Sequence, residues 1–273
     1  IKVGVSPVIS TAGIFIAQKK GYLKDAGLDV ELLTFDSSGA AMTVLLGKDE
    51  LQVGAGNISA GLITAISEGT GIKLVADKGH TPNGDGYMAL IVRTDHIKSG
   101  RYKSLKDLKG FKVGFTSLGG VSQQILFEKF LKKSNLSAAD VEYIKLSYTE
   151  MNVALEKKEI DACIQLEPYI SQAENRGFAK KVAAASEVYP EQQSAALFYS
   201  SQFAKQKKEA IAFMTAYLKG VRDYNNAFIE KGSKDREVLI TLLDAYFKLE
   251  PFDLWKKNKP VGLSSNGYLN VES

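Results

Sequence analysis

The stretch DVELLTFDSSGAAMTVLLGKDELQ, residues 29–52, is echoed by DVEYIKLSYTEMNVALEKKEID, residues 140–161. The copies share an opening Asp-Val-Glu triplet and, further along, a Met, a Leu, a Lys and a Glu in the same order. The triplets are offset by 111 residues and the later matches by 109, so the second copy has two fewer residues in its loop. The matches occupy equivalent places in a strand–helix–strand unit, which predicts two lobes of similar plan and a cleft between them.

Strand and helix signals alternate along both copies, in segments short enough for parallel strand–helix–strand crossovers. Strands are predicted at residues 1–5, 28–32, 52–55, 72–76, 87–92, 111–115, 141–146, 160–164 and 195–199. Capping or turn residues that lead the intervening helices are Ser10, Thr11, Gly39, Asn57 or Ser59, Ser104 and Gly119. A length of 273 residues suits two lobes. The pattern therefore predicts an α/β fold of two Rossmann-like lobes with open sheets.

The pattern changes after residue 194. Apolar residues recur at spacings of three and four from Ile211 to Phe228, which predicts a long amphipathic helix that returns to cover the first lobe. The expected lobes are residues 1–90 plus 198–273 and residues 91–197, and the strands expected to cross between them as a hinge are residues 87–93 and 195–200.

Composition excludes several classes of protein. Hydrophobic residues make up 45% and charged residues 24%, as in a folded globular protein. No apolar run approaches the roughly 20 residues that cross a bilayer. A net charge of +4 without a block of like charges argues against a nucleic-acid partner. The single Cys163 excludes a disulfide framework and a four-cysteine zinc site.

Enzyme signatures are missing from the sequence. The two histidines, His80 and His96, form no His-Glu-x-x-His motif. Asn57 stands where a nucleophile elbow needs its first glycine, and no histidine follows His96 to act as the base. A dinucleotide fingerprint that begins at residues 54–56 lacks its third glycine, because residue 59 is Ser59, and no phosphate-binding P-loop motif occurs. We therefore expect a binding protein with no catalytic residue, no metal site and no cofactor.

Small hydroxyl and amide residues follow the predicted strands, where an open α/β sheet presents its carboxyl ends to a ligand. These loops are residues 6–11, 35–39 and 57 in the first lobe and residues 116–121 and 165–169 in the second. Each leads into a helix, so free backbone N–H groups favour a polar or anionic small molecule. Ordinary helix capping is the alternative for any one loop.

Three charged or titratable side chains have two interpretations each. Glu167, just before Pro168, either complements a helix dipole or accepts hydrogen bonds from ligand N–H groups. His80 is either a satisfied loop histidine or a ligand contact. Arg93 either pairs with a ligand carboxylate or forms a solvated or interlobe salt bridge.

Four segments together resemble the substrate-binding proteins of the nitrate, sulfonate, taurine and pyrimidine-precursor ABC importers. They are TAGIFIAQKKGYLKDAGLDV at residues 11–30, VGAGN at 53–57, SLKDLKG at 104–110, and IDA at 160–162 with the Glu-Pro pair at 167–168. The resemblance covers nearly the whole chain, and it is specific for the family rather than for the ligand.

The resemblance implies a type II periplasmic binding protein fold, in which two lobes close on a small molecule. It also implies export to the periplasm or the outer face of the cytoplasmic membrane, delivery of the ligand to an ABC permease in the inner membrane, and a monomeric chain. The ligand-binding residues that we expect, from sheet topology and resemblance together, are Ser6, Pro7, Ile9, Ser10, Thr11, Phe35, Ser37, Ser38, Asn57, His80, Ser117, Leu118, Gly119, Gly120, Val121 and Glu167.

The ligand itself stays open at this point. The first-lobe loops lack the aromatic residues of many pyrimidine binders except Phe35, and no arginine occupies the loop positions used by some sulfonate binders. A sulfonate, an aromatic or aliphatic carboxylate and a pyrimidine precursor are the candidates. The related pyrimidine-precursor synthase carries a cysteine-rich run, which this chain with one cysteine lacks. The effector-sensing domain of a transcription regulator is a third alternative, but it normally follows a helix-turn-helix, whereas a strand is predicted at residue 1.

Overall fold

The structure is a computed structural model that describes residues 1–35, 39–84, 86–116, 122–229, 235–247 and 251–273. Seven of the expected ligand residues lie outside the described residues, namely Ser37, Ser38, Ser117, Leu118, Gly119, Gly120 and Val121.

The described residues form ten strands and eleven α-helices. The strands are β1 (Lys2–Val5), β2 (Glu31–Thr34), β3 (Val53–Asn57), β4 (Lys73–His80), β5 (Met88–Arg93), β6 (Lys112–Phe115), β7 (Glu142–Lys145), β8 (Ala162–Leu166), β9 (Ala179–Ala184) and β10 (Gln193–Tyr199). The helices are α1 (Ala12–Lys19), α2 (Tyr22–Asp25), α3 (Ala40–Gly47), α4 (Ala60–Ser67), α5 (Thr94–Ser99), α6 (Ser122–Lys133), α7 (Tyr148–Glu156), α8 (Tyr169–Arg176), α9 (Ser201–Lys205), α10 (Lys207–Phe228) and α11 (Arg236–Phe247). Short 3₁₀ turns lie at Ile9–Thr11, Leu105–Leu108, Ala138–Asp140, Ala185–Glu187 and Phe252–Lys256.

The chain folds into two compact units, each with a five-stranded sheet. The first unit, Ile1–His80 with Gln193–Lys248 and Gly262–Ser273, has the strand order β2-β1-β3-β10-β4. The second, Thr81–Gln192 with Leu249–Val261, has the order β7-β6-β8-β5-β9. In each sheet the first three strands are parallel and the fourth runs antiparallel to both neighbours. The predicted α/β fold of two lobes on a similar plan is confirmed.

The two sheets also share their register. Equivalent pairs are Lys2–Glu31 and Lys112–Glu142, and Gly4–Gly54 and Gly114–Cys163. A Cβ on Gly4 would come within 2.8 Å of Leu51 Cδ2, and a Cβ on Gly114 within 2.9 Å of Ile160 Cδ1. Both units therefore use a glycine on the central parallel strand to let an aliphatic side chain pack closely against the sheet.

Two strand boundaries differ from the predicted ones. β2 begins at Glu31, because Leu28 still belongs to the end of α2, where its N–H donates to the Leu23 carbonyl after Gly27 turns at φ +75°. β4 continues to His80, past the expected end at residue 76, because His80 and Gly262 exchange backbone hydrogen bonds in a β-bridge.

The boundaries between the two units differ from the predicted lobe boundaries, which were residues 1–90 plus 198–273 and residues 91–197. All six residues of β5 are buried in the second sheet, and all seven of β10 in the first, so each predicted hinge strand belongs to a single sheet. The chain passes between the units after His80, Gln192, Lys248 and Val261 instead. Hinge closure stays a prediction.

The predicted helical tail packs on the first unit through α10 and α11, both of which contact α1. At the crossing of α1 and α10, a Cβ on Gly220 would overlap the carbonyl oxygen of Gly13, so glycine permits the close approach of the two backbones. The buried face of α10 includes Ala210 and Phe213, whereas Ile211, expected on that face, is exposed.

Candidate functional site

The loop after β1 places hydroxyl groups in the interior of the first unit. Ser6, Ser10 and Thr11 are all buried, and Thr11 Oγ1 donates to the Ser6 carbonyl oxygen over 2.8 Å. Pro7 is half-buried, while Ile9 is packed as a core residue. The polar groups of this loop therefore come from Ser6, Ser10 and Thr11, whereas Ile9 belongs to the hydrophobic core.

A lysine that the sequence analysis overlooked lies beneath this loop. Lys78 on β4 is 1% exposed, and its Nζ donates to Ser10 Oγ over 2.9 Å. Burial lowers the pKa of the Lys78 ammonium to about 7, while the charge of Asp77 opposes part of that shift. No sequence motif marks this residue, because the predicted strand ended at residue 76 and Lys78 was assigned to a loop.

The neighbouring carboxylate of Asp77 is fully engaged elsewhere. Its Oδ1 accepts from Gly79 N at 2.8 Å and from Gln193 Nε2 at 2.6 Å. Its Oδ2 accepts from His80 Nδ1 at 3.0 Å and from Ser264 N at 2.7 Å. His80 is thus held by Asp77, as the satisfied-histidine interpretation requires, and Asp77 fastens β4 to β10 and to the C-terminal segment.

The ends of β2 and β3 contribute Phe35 and Asn57, both half-buried. The Phe35 ring packs over Gly4, at 3.1 Å from the position of a Cβ there. Ser59, rather than Asn57, caps α4, because Ser59 Oγ accepts from Leu62 N at 3.2 Å. Asn57 is therefore not used as the helix cap, and its ligand role stays a prediction.

In the second unit, the end of β6 carries a buried hydrogen-bond chain. Thr116 Oγ1 donates to Gln123 Oε1 over 2.6 Å, and Gln123 Nε2 donates to the Ile164 carbonyl over 3.0 Å. Thr116 and Gln123 are each 1% exposed. This chain fixes the start of α6 against β8, on either side of residues 117–121.

Glu167, directly after β8, is buried and bound by the chain itself. Its Oε2 accepts from Ser171 N, and its Oε1 from Ser171 Oγ, both at 3.0 Å. Lys259 N donates to Oε1 over 3.3 Å. Burial raises the pKa of the Glu167 carboxyl to about 7, although these hydrogen bonds favour the charged form. This geometry agrees with the helix-dipole interpretation, and a contact with ligand stays a prediction.

A second buried network lies beside Glu167, and only Gln165 and Tyr169 of it belong to the loop 165–169 that the sequence predicts. Gln165 Nε2 donates to the Tyr148 carbonyl at 3.0 Å and to Asn152 Oδ1 at 3.1 Å, while Asn152 Nδ2 donates to the Tyr169 carbonyl at 2.9 Å. The rings of Tyr148 and Tyr169 stack with centroids 6.1 Å apart and an angle of 6° between their planes. The sequence feature that points to this network is a glutamine in an otherwise apolar strand.

Comparison with known proteins supplies the family. The family model described as NMT1/THI5 like matches residues 9–227, which is most of the chain. The chain belongs to the NMT1/THI5-like family. Compared by sequence with curated proteins, this NMT1/THI5-like chain has no match.

Solved structures with the same fold include three informative neighbours of this NMT1/THI5-like chain. The alkanesulfonate-binding protein SsuA from Xanthomonas axonopodis pv. citri, bound to MOPS, is 18% identical with a TM-score of 0.76, over 94% of this chain and 82% of that one. The periplasmic nitrate-binding protein NrtA from Synechocystis is 17% identical with a TM-score of 0.76, over 93% and 68%. A Candida albicans protein with the generic periplasmic binding protein fold is 17% identical with a TM-score of 0.71, over 97% and 82%. The periplasmic binding protein fold is therefore established.

Arg93 lies in an ion-pair cluster of the second unit. Its Nε and Nη2 bind the two Asp95 oxygens at 2.9 and 2.7 Å, and its Nη1 lies 3.5 Å from Asp161 Oδ1. The guanidinium holds the pKa of the Asp95 carboxyl well below its usual range. Both carboxylates belong to the same unit as Arg93, and Asp95 is 44% exposed, so of the two expected kinds of salt bridge the structure has the solvated one rather than the interlobe one.

Cys163 of this NMT1/THI5-like chain is fully buried and free, and burial raises the pKa of its thiol well above the usual range. Within the described ranges, no group of three or more His, Cys, Asp and Glu side chains is placed to hold a metal ion. Among the helices of the same ranges, none has the length and apolar character to cross a membrane.

Proposed function

We propose that this chain is the solute-binding component of an ABC-type importer, and that it captures a small organic anion without converting it. The observation that carries the proposal is that polar groups end the same parallel strands in both equivalent units. The groups are Ser6 and Ser10 after β1, Asn57 at the end of β3, Thr116 after β6, and Gln165 and Glu167 at the end of β8. Ligands of open α/β sheets bind at these strand ends.

The preference for an anion, a sulfonate or a carboxylate, rests on the hydroxyl groups of the first loop and on the ammonium beneath them. A pyrimidine precursor is the second candidate, since it would use aromatic stacking. The one aromatic residue at the predicted positions, Phe35, is already packed over Gly4, which favours the anion.

The proposed partners follow from the neighbours, since SsuA and NrtA are described as binding proteins for alkanesulfonate and nitrate. We expect the chain to work at the periplasm or the outer face of the cytoplasmic membrane, as a monomer that hands its ligand to a permease in that membrane. Light scattering of the purified chain tests the monomer.

A thermal-shift screen tests the function directly. The probes are butanesulfonate, acetate, benzoate and nitrate, each paired with a neutral analogue such as butanol or benzamide, together with an aminopyrimidine. A binding protein gains about 2.7 kcal/mol at a ligand concentration 100 times the Kd, so one class of anion should raise Tm while its neutral analogue does not.

Mass spectrometry of the recovered probe provides the second readout. An unchanged probe supports binding without turnover. If only the aminopyrimidine raises Tm, the ligand is a pyrimidine precursor rather than an anion. A chemically altered probe overturns the proposal.

A further inference from the structure

The ammonium of Lys78 is a buried charge of the first unit with few partners among the described residues. An ammonium has three N–H donors, and in the described part of the chain its one hydrogen-bond acceptor is Ser10 Oγ, at 2.9 Å. Lys78 is 1% exposed, so water does not solvate the other donors. A buried charge with so few partners costs stability, and proteins keep such groups mainly where they have a function.

Among the residues that the structure describes, no carboxylate contacts this ammonium directly. Asp77, the adjacent residue on β4, spends both oxygens on four other donors. His80, further along the strand, binds Asp77 as well. From the elements packed against β4, α10 contributes the phenol of Tyr217, which donates to the Asp77 carbonyl, and the turn Ile9–Thr11 contributes the Ser10 hydroxyl.

The other neighbours of β4 add no charge at this position. The facing residues of β10 are alanines paired with Asp77 and Gly79. The C-terminal segment from Gly262 to Gly267 contains no titratable side chain. When Lys78 is protonated, its charge is therefore available to an anion that binds at Ser10.

The geometry fixes the direction of the Ser10 hydroxyl. In its charged form Lys78 can only donate, so Ser10 Oγ then accepts, and its own O–H points away from the ammonium. Among the described residues no acceptor receives that O–H. A hydroxyl that accepts from a cation is polarised and donates more strongly to an anionic oxygen than to a neutral one. Ser10 is 2% exposed.

We propose that Lys78 is a positioning residue that turns the Ser10 hydroxyl into the donor for an anionic oxygen of the ligand, and that anion binding draws a proton onto Lys78. This inference rests on the proposed function. It specifies in addition that the ligand group in contact with the first unit is negatively charged. A pKa near 7 for the free ammonium means that, at pH 8, part of the protein must take up a proton to bind the anion.

The test compares the parent with Lys78→Met, which keeps the side-chain length without the charge. Lys73→Met is the matched control, because Lys73 lies on the same strand but is exposed. Thermal shifts and calorimetric titrations use butanesulfonate, acetate and benzoate. We expect Lys78→Met to bind the responding anion at least about tenfold more weakly and Lys73→Met to bind it like the parent.

A proton readout separates this role from a structural one. Titrations at pH 8 in buffers of different ionisation enthalpy should show proton uptake by the parent and none by Lys78→Met. The affinity of the parent should fall by up to about tenfold per pH unit above pH 7, and that of the variant should stay flat.

Equal affinity and equal pH profiles in parent and Lys78→Met would overturn the inference while leaving the proposed function intact. If none of the anions shifts the parent, both fail together. Retained binding in Ser10→Ala with the proton uptake unchanged would also overturn it, since the ammonium would then act without the hydroxyl.

Discussion

The two units share strand order, register and a close-packing glycine, yet two of their buried charged side chains, Lys78 in the first unit and Glu167 in the second, differ in sign. The first unit buries the Lys78 ammonium under the loop after β1, with Ser10 as its partner. The second buries the Glu167 carboxylate after β8, where three donors of Ser171 and Lys259 meet it. The shared core thus determines the scaffold, whereas the groups at the strand ends are specific to each unit. Ligand chemistry belongs to this second, unshared layer.

The units differ in how completely the charge is satisfied. Glu167 has hydrogen bonds to both oxygens, so its main role within the chain is to hold α8 and the Lys259 segment together. Lys78 has one partner for three donors. This contrast leads us to propose a ligand-directed role for Lys78, whereas a ligand contact of Glu167 stays a prediction.

Replacing Lys78 by Met should produce the largest change. Folding lowers the pKa of Lys78 from 10.5 to about 7, so the unfolded chain binds this proton more tightly than the folded one. Below pH 7 the buried charge therefore destabilises the folded state. Lys78→Met should therefore raise the free energy of unfolding by about 3 kcal/mol at pH 6. The gain should shrink as the pH rises from 7 towards 10.5, because the parent regains stability over that window.

Urea denaturation followed by circular dichroism at pH 6, 8 and 9.5 measures this gain, with Lys73→Met as the control. A variant less stable than the parent at pH 6 would show that the ammonium stabilises the fold, and the contrast between the two units would disappear.

Glu167→Gln is the corresponding change in the second unit and should have a smaller, oppositely sloped effect. Folding raises the pKa of Glu167 from 4.5 to about 7. The stability that the acid contributes is fully present below pH 4.5 and is lost as the pH rises through 7. Relative to the Gln variant, the parent should therefore lose about 2 kcal/mol between pH 4.5 and pH 8.

The same denaturation series, with Glu174→Gln as an exposed control, gives the difference in stability at each pH. A difference that does not change with pH would mean that Glu167 keeps its charge throughout, as a carboxylate dominated by its hydrogen bonds would.

Most of the scaffold was predictable from the sequence because its causes are local and periodic. The echo of residues 29–52 in 140–161 predicted equivalent units, and the structure confirms it in the registers of β1 with β2 and of β6 with β7. The boundary at β4 was not predictable, since that strand is prolonged by a pairing of His80 with Gly262 that lies far away in the sequence.

The candidate site was less predictable for the same reason. Strand-end loops could be located from turn and capping residues, and Ser6 and Ser10 were predicted as ligand residues in this way. Lys78 could not be found, because a lysine in sequence carries no mark of burial, and only the tertiary fold removes it from water. The network of Gln165, Asn152 and Tyr148 is likewise assembled by packing of α7 on β8.

The smallest predicted effect concerns a core position at which the registers agree and the residues do not. Gly54 of β3 corresponds to Cys163 of β8, since they pair with Gly4 and Gly114 respectively. On the next strand, Gly54 faces Phe198 and Cys163 faces Ile91. In the first unit, a glycine is paired with the large ring of Phe198. In the second unit, the small side chain of Cys163 is paired with the aliphatic side chain of Ile91. The two pairs fill a similar volume in different ways.

Gly54→Cys should consequently be destabilising in the first unit, where a Cβ would meet Leu46 Cδ1 at 2.8 Å and the Phe198 ring at 3.3 Å. Adding Phe198→Ile recreates the pair found in the second unit and should recover part of the loss. We expect a favourable coupling of about 1 kcal/mol between the two substitutions in a double-mutant cycle measured by urea denaturation. If the changes in unfolding free energy of the two substitutions were strictly additive, the two sites would not share packing space. A ring that crowds the new sulfur destabilises the protein, so its removal should restore part of the stability. The units would then be equivalent in register alone and not in the volume that their cores enclose.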